Sequence, residues 1–539
     1  MSKVVAILSM LHEPIERHSG DRCFRGRSIL QWTLERLQKS KSLSATAVLC
    51  WEDQIPRLVS LADQAGAYVL AKGPRLRLPE VESIAAACRW SDGWRGGLLG
   101  ACAFDRGFYA PWALELAEKV EADAVVLVDP ASALVDPALI DALLDHAARQ
   151  PEQEICFAPS APGLCGVFLR LPLLNRLAAA KLHPGRLLHY FPDRLSREML
   201  GTDACLKIAS PIARSPDRFT IDSDRQAARI ELAMECLNGE LPSAGAEELV
   251  RRMAATPGHH TLPRDVVVEL AVSRISCPDF LPGRSQKIAR PSLSVKLAEK
   301  LFAELAQCDD MRVTFAGIGD PLATENFPDI VAAARTAGLR TLQVETDLLC
   351  DDGLAINHLV HAGFDAVSVH LPALTAATYE KVMGLDGYAR VLDNIYRFVA
   401  ERQKVGTGLP LLIPIFTKCR DNIGEMEAWY DQWLRALNCA VIRGPSTFAG
   451  MIPNVAAADM TPPGRKPCAR LASRLTVLSD GRIVSCEEDA AGAQTLGHLA
   501  ADTLESVWRN RVAALRADHQ VGHWANHPLC AACDEWHRP

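Results

Sequence analysis

Four cysteines near the C-terminus are the residues of this chain best suited to chemistry. Cys468 is followed by an Asp480-Gly481 turn and then by Cys486, and Cys530 and Cys533 form a C-x-x-C. Four thiolates can saturate an iron–sulfur cluster, and widely separated pairs are compatible with that. Gly481 suits a tight turn that returns Cys486 towards Cys468. Zinc is the competing metal, because four cysteines also make a closed tetrahedral site. Zinc ribbons, however, usually pair two short knuckles, and the first pair here is not C-x-x-C. The remaining possibility is a set of unligated thiols. A second stretch, Gly317-Ile-Gly319-Asp320-Pro321, has glycines that let a ligand approach the backbone closely. On its own it is equally a turn.

Composition bounds what those residues can serve. A chain of 539 residues has a prior of roughly three to four domains. Hydrophobic residues at 49% and charged residues at 23% are those of a folded globular chain and exclude a disordered or fibrous one. The net charge of -7 arises from 58 basic and 65 acidic residues without a basic run, so no nucleic-acid partner is indicated. No apolar segment approaches the roughly 20 residues of a spanning helix. The N-terminal run has no small-residue cleavage site, so a cytoplasmic location is expected. Seventeen cysteines, an odd number, do not suggest a disulfide framework. Cys88, Cys102, Cys156, Cys205, Cys236, Cys350 and Cys439 sit singly in apolar surroundings and read as small buried hydrophobes.

The elements that position these residues alternate between strand and helix. Strands are expected over 4–8, 45–50 and 124–128, with helices over 29–37, 54–65, 136–146 and 226–237. This alternation implies a parallel sheet of the nucleotide-binding kind. Residues 238–263 read as a linker with one short helix over 246–254. The alternation then restarts, with strands over 266–270, 312–315, 341–345, 366–370 and 411–416, and helices such as 329–337 and 387–402. Such a run suits a partial or full (β/α) barrel, whose chemistry sits at strand C-termini. From Met451 onward the chain becomes Pro- and Gly-rich, with a hairpin around Asp480-Gly481.

The tail from Cys468 to Trp536 resembles a SPASM or twitch domain, the auxiliary-cluster domain appended to many radical S-adenosylmethionine enzymes. The matching pieces are Cys468, Val477–Cys486, Leu496-Gly-His-Leu499, Ser506-Val-Trp508 and Cys530-Ala-Ala-Cys533-Asp-Glu-Trp536. The resemblance implies one [4Fe–4S] cluster held by Cys468, Cys486, Cys530 and Cys533. Residues 264–450 resemble the radical S-adenosylmethionine barrel. There Gly317, Gly319, Asp320 and Pro321 stand where the family's Gly-Gly-Glu-Pro strand end lies against the methionine part of the cofactor. Thr346-Asp347 sits where the family has Thr-Asn-Gly, and Ala366–Leu371 and Thr378–Gly384 follow its next strand and helix. The family's C-x-x-x-C-x-x-C is absent: the best register leaves Ser273, Cys277 and Phe280 at the three positions. One thiolate does not hold a reactive cluster, and loss of the cofactor removes the reaction.

Residues 1–237 resemble the cytidylyltransferase-type nucleotidyltransferases of surface-polysaccharide biosynthesis, through Val4–Leu8, Gly26–Arg36 and Asp123–Asp129 with Asp136-Pro137. In the loop after the first strand, Glu13 and Glu16 oppose a triphosphate, whereas Arg17, Arg22, Arg25 and Arg27 would receive one. The family's magnesium aspartate aligns with Ala131, and Asp129 lies nearby but out of register. Without that carboxylate, metal-assisted displacement has no anchor. The layout of 1–237, linker 238–263, barrel 264–450 and tail 451–539 is similar to that of spiro-SPASM proteins. It implies a cluster-binding protein, degenerate in S-adenosylmethionine cleavage, that binds or redox-services a protein, peptide or nucleotide-sugar partner in surface-glycan or peptide modification. The alternatives are an active enzyme, through non-standard cluster ligands or a transferase metal on Asp129, and a zinc-stapled scaffold. Tail histidines His523, His527 and His537 read as residues without a metal role.

Overall fold

The computed structural model describes residues 3–538 apart from 15–17, 195–197, 238–240, 257, 259–260, 284–287 and 352. Glu16, Arg17, parts of the expected linker and the side chain of Cys236 therefore lie outside the described residues. The chain divides into two compact units, Met1–Gly258 and His259–Pro539.

In the first unit, the strands among the described residues are β1 (Val4–Ser9), β2 (Cys23–Phe24), β3 (Arg27–Ser28), β4 (Ala45–Cys50), β5 (Tyr68–Ala71), β6 (Ala124–Val128), β7 (Ile155–Phe157) and β8 (Val167–Arg170). Six of them form one sheet in the order β5-β4-β1-β6-β8-β7, and β2 and β3 form a separate ribbon. β5, β4, β1 and β6 run parallel, whereas β8 pairs antiparallel with both β6 and β7. Side chains on a strand alternate between faces. Accordingly Val4, Ala6 and Leu8 join one hydrophobic core, and Val5 and Ile7 join the core on the other face. Both faces are covered by helices, which explains why these strands are largely apolar. The helix Pro137–Arg149 begins where Asp136 accepts a hydrogen bond from the amide of Ala138, with proline at its first position.

In the second unit the strands are β9 (Asp265–Val268), β10 (Arg312–Phe315), β11 (Thr341–Thr346), β12 (Ala366–His370), β13 (Leu411–Thr417), β14 (Val441–Arg443), β15 (Arg474–Val477), β16 (Arg482–Val484) and β17 (Gly497–His498). β9 to β14 pair in sequence order, all parallel, as expected of a (β/α) partial barrel. The Asp480-Gly481 hairpin does not stand apart from them. Its first strand, β15, pairs parallel with β9, and β16 and β17 follow antiparallel, giving one sheet of nine strands. Leu475, Val477, Ile483, Trp508 and Cys530 belong to the same hydrophobic core as Val266, Val313, Phe315 and Trp429.

This shared core makes a prediction about cooperativity. Trp508 is fully buried, so Trp508→Ala is expected to cost about 4 kcal/mol. Hydrogen exchange should show β9 and β15 losing protection together. Loss confined to the segment after residue 451 would contradict the shared core.

Candidate functional site

The C-terminal ends of β9, β10, β11, β12 and β14 carry a set of paired polar side chains, most of them buried. At the end of β9, Glu269 forms a two-point ion pair with Arg290, with Nε to Oε1 at 2.7 Å and Nη2 to Oε2 at 2.8 Å. Both side chains are buried. The amide of Ser479 in the hairpin also donates to Glu269 Oε1 (3.2 Å), and Arg290 Nη1 donates to the carbonyl of Ala490 (2.7 Å).

At the end of β10, both glycines of the Gly317–Pro321 turn face the protein's own loop. A Cβ at Gly317 would come within 2.7 Å of the Glu269 side chain, and one at Gly319 within 2.2 Å of the carbonyl oxygen of Ala271. The amide of Asp320 donates to the carbonyl of Ser273 (2.9 Å). Its carboxylate accepts from the amide of Leu322 (2.9 Å), Thr346 Oγ1 (2.9 Å) and the amide of Asp347 (2.8 Å). Burial, reinforced by the Asp347 charge, raises the Asp320 carboxyl above its ordinary range.

Asp347 sits one residue beyond β11 and is the hub of the network. His370 Nδ1 lies 3.0 Å from its Oδ1, Ser276 Oγ donates to its Oδ2, and Arg274 Nε is 3.5 Å away. Burial works to raise this carboxyl, but Arg274 and His370 outweigh it and hold it at about 2. Arg443, at the end of β14, donates to His370 Nε2 (2.9 Å) and to Glu345 Oε2 (3.0 Å). His370 Nε2 also lies 3.3 Å from Glu345 Oε2, so the imidazole stands between the two carboxylates. Glu345 is half-buried; burial works to raise it, but Arg443 and His370 hold it well below the carboxylate range.

The three positions of the missing cysteine motif are spread over different environments. Ser273 is exposed, Cys277 is half-buried and Phe280 is buried. The amide of Cys277 donates to the carbonyl of Met383 (2.9 Å), and the ring of Phe280 stands edge-on to His370 at 6.3 Å.

Of the four tail cysteines, Cys486 and Cys533 lie near Arg470 and Glu488, and Cys530 and Cys533 lie near Cys468. Cys486 and Cys530 are buried, and Cys468 and Cys533 are half-buried. Burial, and then the Cys468 charge, pushes the Cys530 thiol up to about 11. Burial, with Glu488 and Cys468, pushes Cys533 up to about 12, and burial raises Cys486 as well, next to Arg470, Glu487 and Glu488. The amide of Glu535 donates to Cys533 Sγ (3.3 Å), and that of Ala469 to the carbonyl of Trp536 (3.4 Å), which draws the last segment against Cys468. Among the described residues, no three His, Cys, Asp or Glu side chains stand at metal-binding spacing. The structure thus gathers the four cysteines in one region without closing them into a ligand set. His527 pairs with Asp518 (2.8 Å).

In the first unit, the described arginines among those expected to receive phosphate are already paired. Arg22 lies 3.5 Å from Asp224, Arg25 lies 2.9 Å from Glu231, and Arg27 contacts Glu35. Glu13 faces the interior: Ser19 donates to it through its amide (2.9 Å) and hydroxyl (3.0 Å), and burial raises it to about 7. Ala131 donates its amide to Asp129 Oδ1 (2.8 Å). The charge cluster that sequence reasoning missed is Asp129, Arg106, Asp222 and Arg218. Arg106 and Arg218 both contact Asp222, and Arg106 Nη1 lies 3.8 Å from Asp129 Oδ2. Only the position of Asp129 at a strand end signalled any part of it.

The fold and these sites are those of an α/β chain in which a (β/α) barrel leads into a cysteine-bearing tail. Residues 468–534 match the SPASM family, an iron–sulfur cluster-binding domain. An uncharacterized protein of Treponema pallidum (strain Nichols) is 27% identical over 131 residues, 24% of this chain and 34% of that protein. The chain thus spans about a third of the length of that curated relative. The crystal structure of Streptococcus suis SuiB bound to precursor peptide SuiA aligns over 56% of this chain and 82% of its own, at 13% identity and a TM-score of 0.39. A cytidylyltransferase from Leptospira borgpetersenii serovar Hardjo-bovis (strain JB197) aligns over 47% of this chain and 95% of its own, at 16% identity and a TM-score of 0.35.

The low position of Asp347 fixes the sign of a pH effect. A carboxyl held at about 2 when folded contributes stability that is present above its unfolded value near 4 and is lost as pH falls through about 2. Asp347→Asn, which leaves Arg274 without its carboxylate, is expected to destabilise the second unit by about 3 kcal/mol at neutral pH. The difference from wild type should shrink as pH is lowered below about 4. Urea unfolding with hydrogen exchange at β11 and β12, compared between neutral and acid pH, checks both.

Proposed function

We propose that this chain is a cluster carrier of the radical S-adenosylmethionine/SPASM type whose barrel no longer cleaves S-adenosylmethionine, and that it binds or passes electrons to a partner in peptide or surface-glycan modification. The observation that carries this reading is an iron–sulfur cluster-binding domain continuing the sheet of a barrel whose mouth is filled by its own side chains.

In this reading Cys468, Cys486, Cys530 and Cys533 hold the cluster. The donor set fits the group: four thiols in one partly buried region, with a backbone amide already donating to one sulfur. Burial disfavours the thiolate of each of Cys486, Cys530 and Cys533, so a bound cation is what makes thiolates tenable there. A four-iron cluster so held supplies a one-electron relay, its potential set by charge and by hydrogen bonds to sulfur. Arg470 supplies positive charge beside Cys486, and the Glu535 amide supplies the hydrogen bond to Cys533.

S-adenosylmethionine does not fit the barrel mouth as arranged. Gly317 and Gly319 are packed against Glu269 and Ala271 rather than open to a ligand, and the Asp320 carboxylate is committed to Leu322, Thr346 and Asp347. Of the three motif positions, only Cys277 offers a thiol, and the Phe280 ring contributes to the core.

Iron, sulfide and zinc quantification on anaerobically purified protein tests this function. The expected result is about four irons and four sulfides per chain. Cys530→Ser or Cys533→Ser should abolish the visible absorption and render the tail protease-sensitive. Stoichiometric zinc without iron would overturn the reading in favour of a zinc-stapled scaffold.

A further inference from the structure

The cysteine-bearing tail holds a buried donor without a partner. His519, on the helix Ala513–Gln520, is 2% exposed. Its Nδ1 accepts the backbone amide of Cys468 (3.3 Å). A backbone amide only donates, so Nδ1 carries no proton and the neutral ring holds its proton on Nε2. Burial, with Arg465 and His527, pushes the imidazole down to about 4, in keeping with a neutral ring. The Nε2 atom is buried and makes no hydrogen bond among the described residues. A buried donor left unmade is costly, and such a group in a native fold calls for an acceptor.

The side chains around the ring are already engaged. Trp524 and His527 stand with their ring centroids 6.3 and 6.4 Å away. Asp518, the carboxylate whose charge reaches the ring, is taken by His527 (2.8 Å). Arg465 lies over Trp524, 5.2 Å from the ring centroid, and donates through Nη2 to the carbonyl of Cys530.

These contacts set His519 among the cysteines. It holds the amide of Cys468 directly, and Arg465, in the segment leading to Cys468, holds Cys530. Cys530 and Cys533 both feel the Cys468 charge, so these three thiols stand together. Two further buried donors of the region, Nε of Arg465 and Nε of Arg470, also make no hydrogen bond. The buried acceptors there without a hydrogen bond, Glu487 Oε2 and Glu535 Oε2, have guanidinium neighbours, Arg470 at 4.0 Å and Arg538 at 2.8 Å. The region thus carries an excess of N–H donors. Thiolate and sulfide of a bound cluster are acceptors of the matching charge.

We propose that His519 positions and tunes the tail site: Nδ1 holds Cys468 in place, and Nε2–H donates to sulfur of the cluster bound there, raising its reduction potential. The inference rests on the cluster-carrier reading above and adds the residue that sets the potential. A hydrogen bond to sulfur stabilises the more negative, reduced form over the oxidised one, so it favours arrival of the electron.

Two substitutions separate the two roles of the ring. Asn keeps an acceptor close to the place of Nδ1 and has no donor at that of Nε2, and Gln does the reverse. Both variants are made in the full chain, loaded anaerobically with iron and sulfide, and poised at set potentials with redox mediators. His519→Asn should bind about four irons, as the wild type does, while its ratio of reduced to oxidised cluster at a given potential falls about tenfold, or about 59 mV for one electron. His519→Gln should stay within about threefold of the wild-type ratio. In wild-type protein grown with isotopically labelled histidine, pulsed EPR of the reduced cluster should show coupling to a labelled nitrogen, absent from His519→Gln. That coupling decides the matter if the Asn variant does not load. An unchanged potential in the iron-loaded Asn variant, equal falls in both variants, or an iron-loaded wild type without the coupling would each overturn this proposal and leave the cluster reading standing. Zinc in place of iron in the wild type would overturn both.

Discussion

The ion pair between Glu269 and Arg290 is the interaction on which the second unit depends. Burying two charges is costly, and the cost is met only where geometry is good and the remaining hydrogen-bonding capacity is used. Here both carboxylate oxygens accept from the guanidinium, Oε1 also accepts from Ser479, and the third guanidinium nitrogen is bound to Ala490. One pair therefore fastens the end of the first barrel strand to the hairpin that follows the last. Removing either partner would strand the other in the core. The parallel pairing of β15 with β9 and the core shared through Trp508 depend on the same join.

The same side chains explain why the barrel mouth and the tail differ in character. At the mouth, opposite charges are matched one against another: Arg274 with Asp347, Arg443 with Glu345, and His370 between the two carboxylates. In this network every carboxylate faces a cation, while Arg274 keeps Nε and Nη1 without a hydrogen bond. In the tail the balance is reversed. Thiols that burial keeps protonated stand beside Arg470, and their ordinary partner would be a metal ion.

Much of this architecture was legible in the sequence, because local periodicity carries it. The runs Val4–Ser9, Ala45–Cys50, Ala124–Val128 and Ala366–His370 are largely apolar because both faces of their sheets are buried, and the helix Ile29–Leu37 follows from its apolar stripe. The tail cysteines and the Gly317–Pro321 turn could be singled out by residue type alone. Long-range pairings could not. Nothing near Glu269 announces Ser479, 210 residues away, and nothing near Asp129 announces Arg106 or Asp222. Arg22, Arg25 and Arg27 read as phosphate receivers because the carboxylates that engage Arg22 and Arg25 lie about 200 positions further on.

The direct measurement of the central claim is anaerobic incubation of the iron-loaded protein with dithionite and S-adenosylmethionine, followed by quantification of 5′-deoxyadenosine. Cleavage requires an iron with an open coordination position, and a cluster bound by four cysteines leaves none, just as a closed four-ligand metal site leaves no place for substrate. The expected result is no 5′-deoxyadenosine above a protein-free control, with the cluster itself reduced. Multiple turnovers that disappear in Cys277→Ala would contradict this, and would place a working cluster beside Ser273 at the barrel mouth.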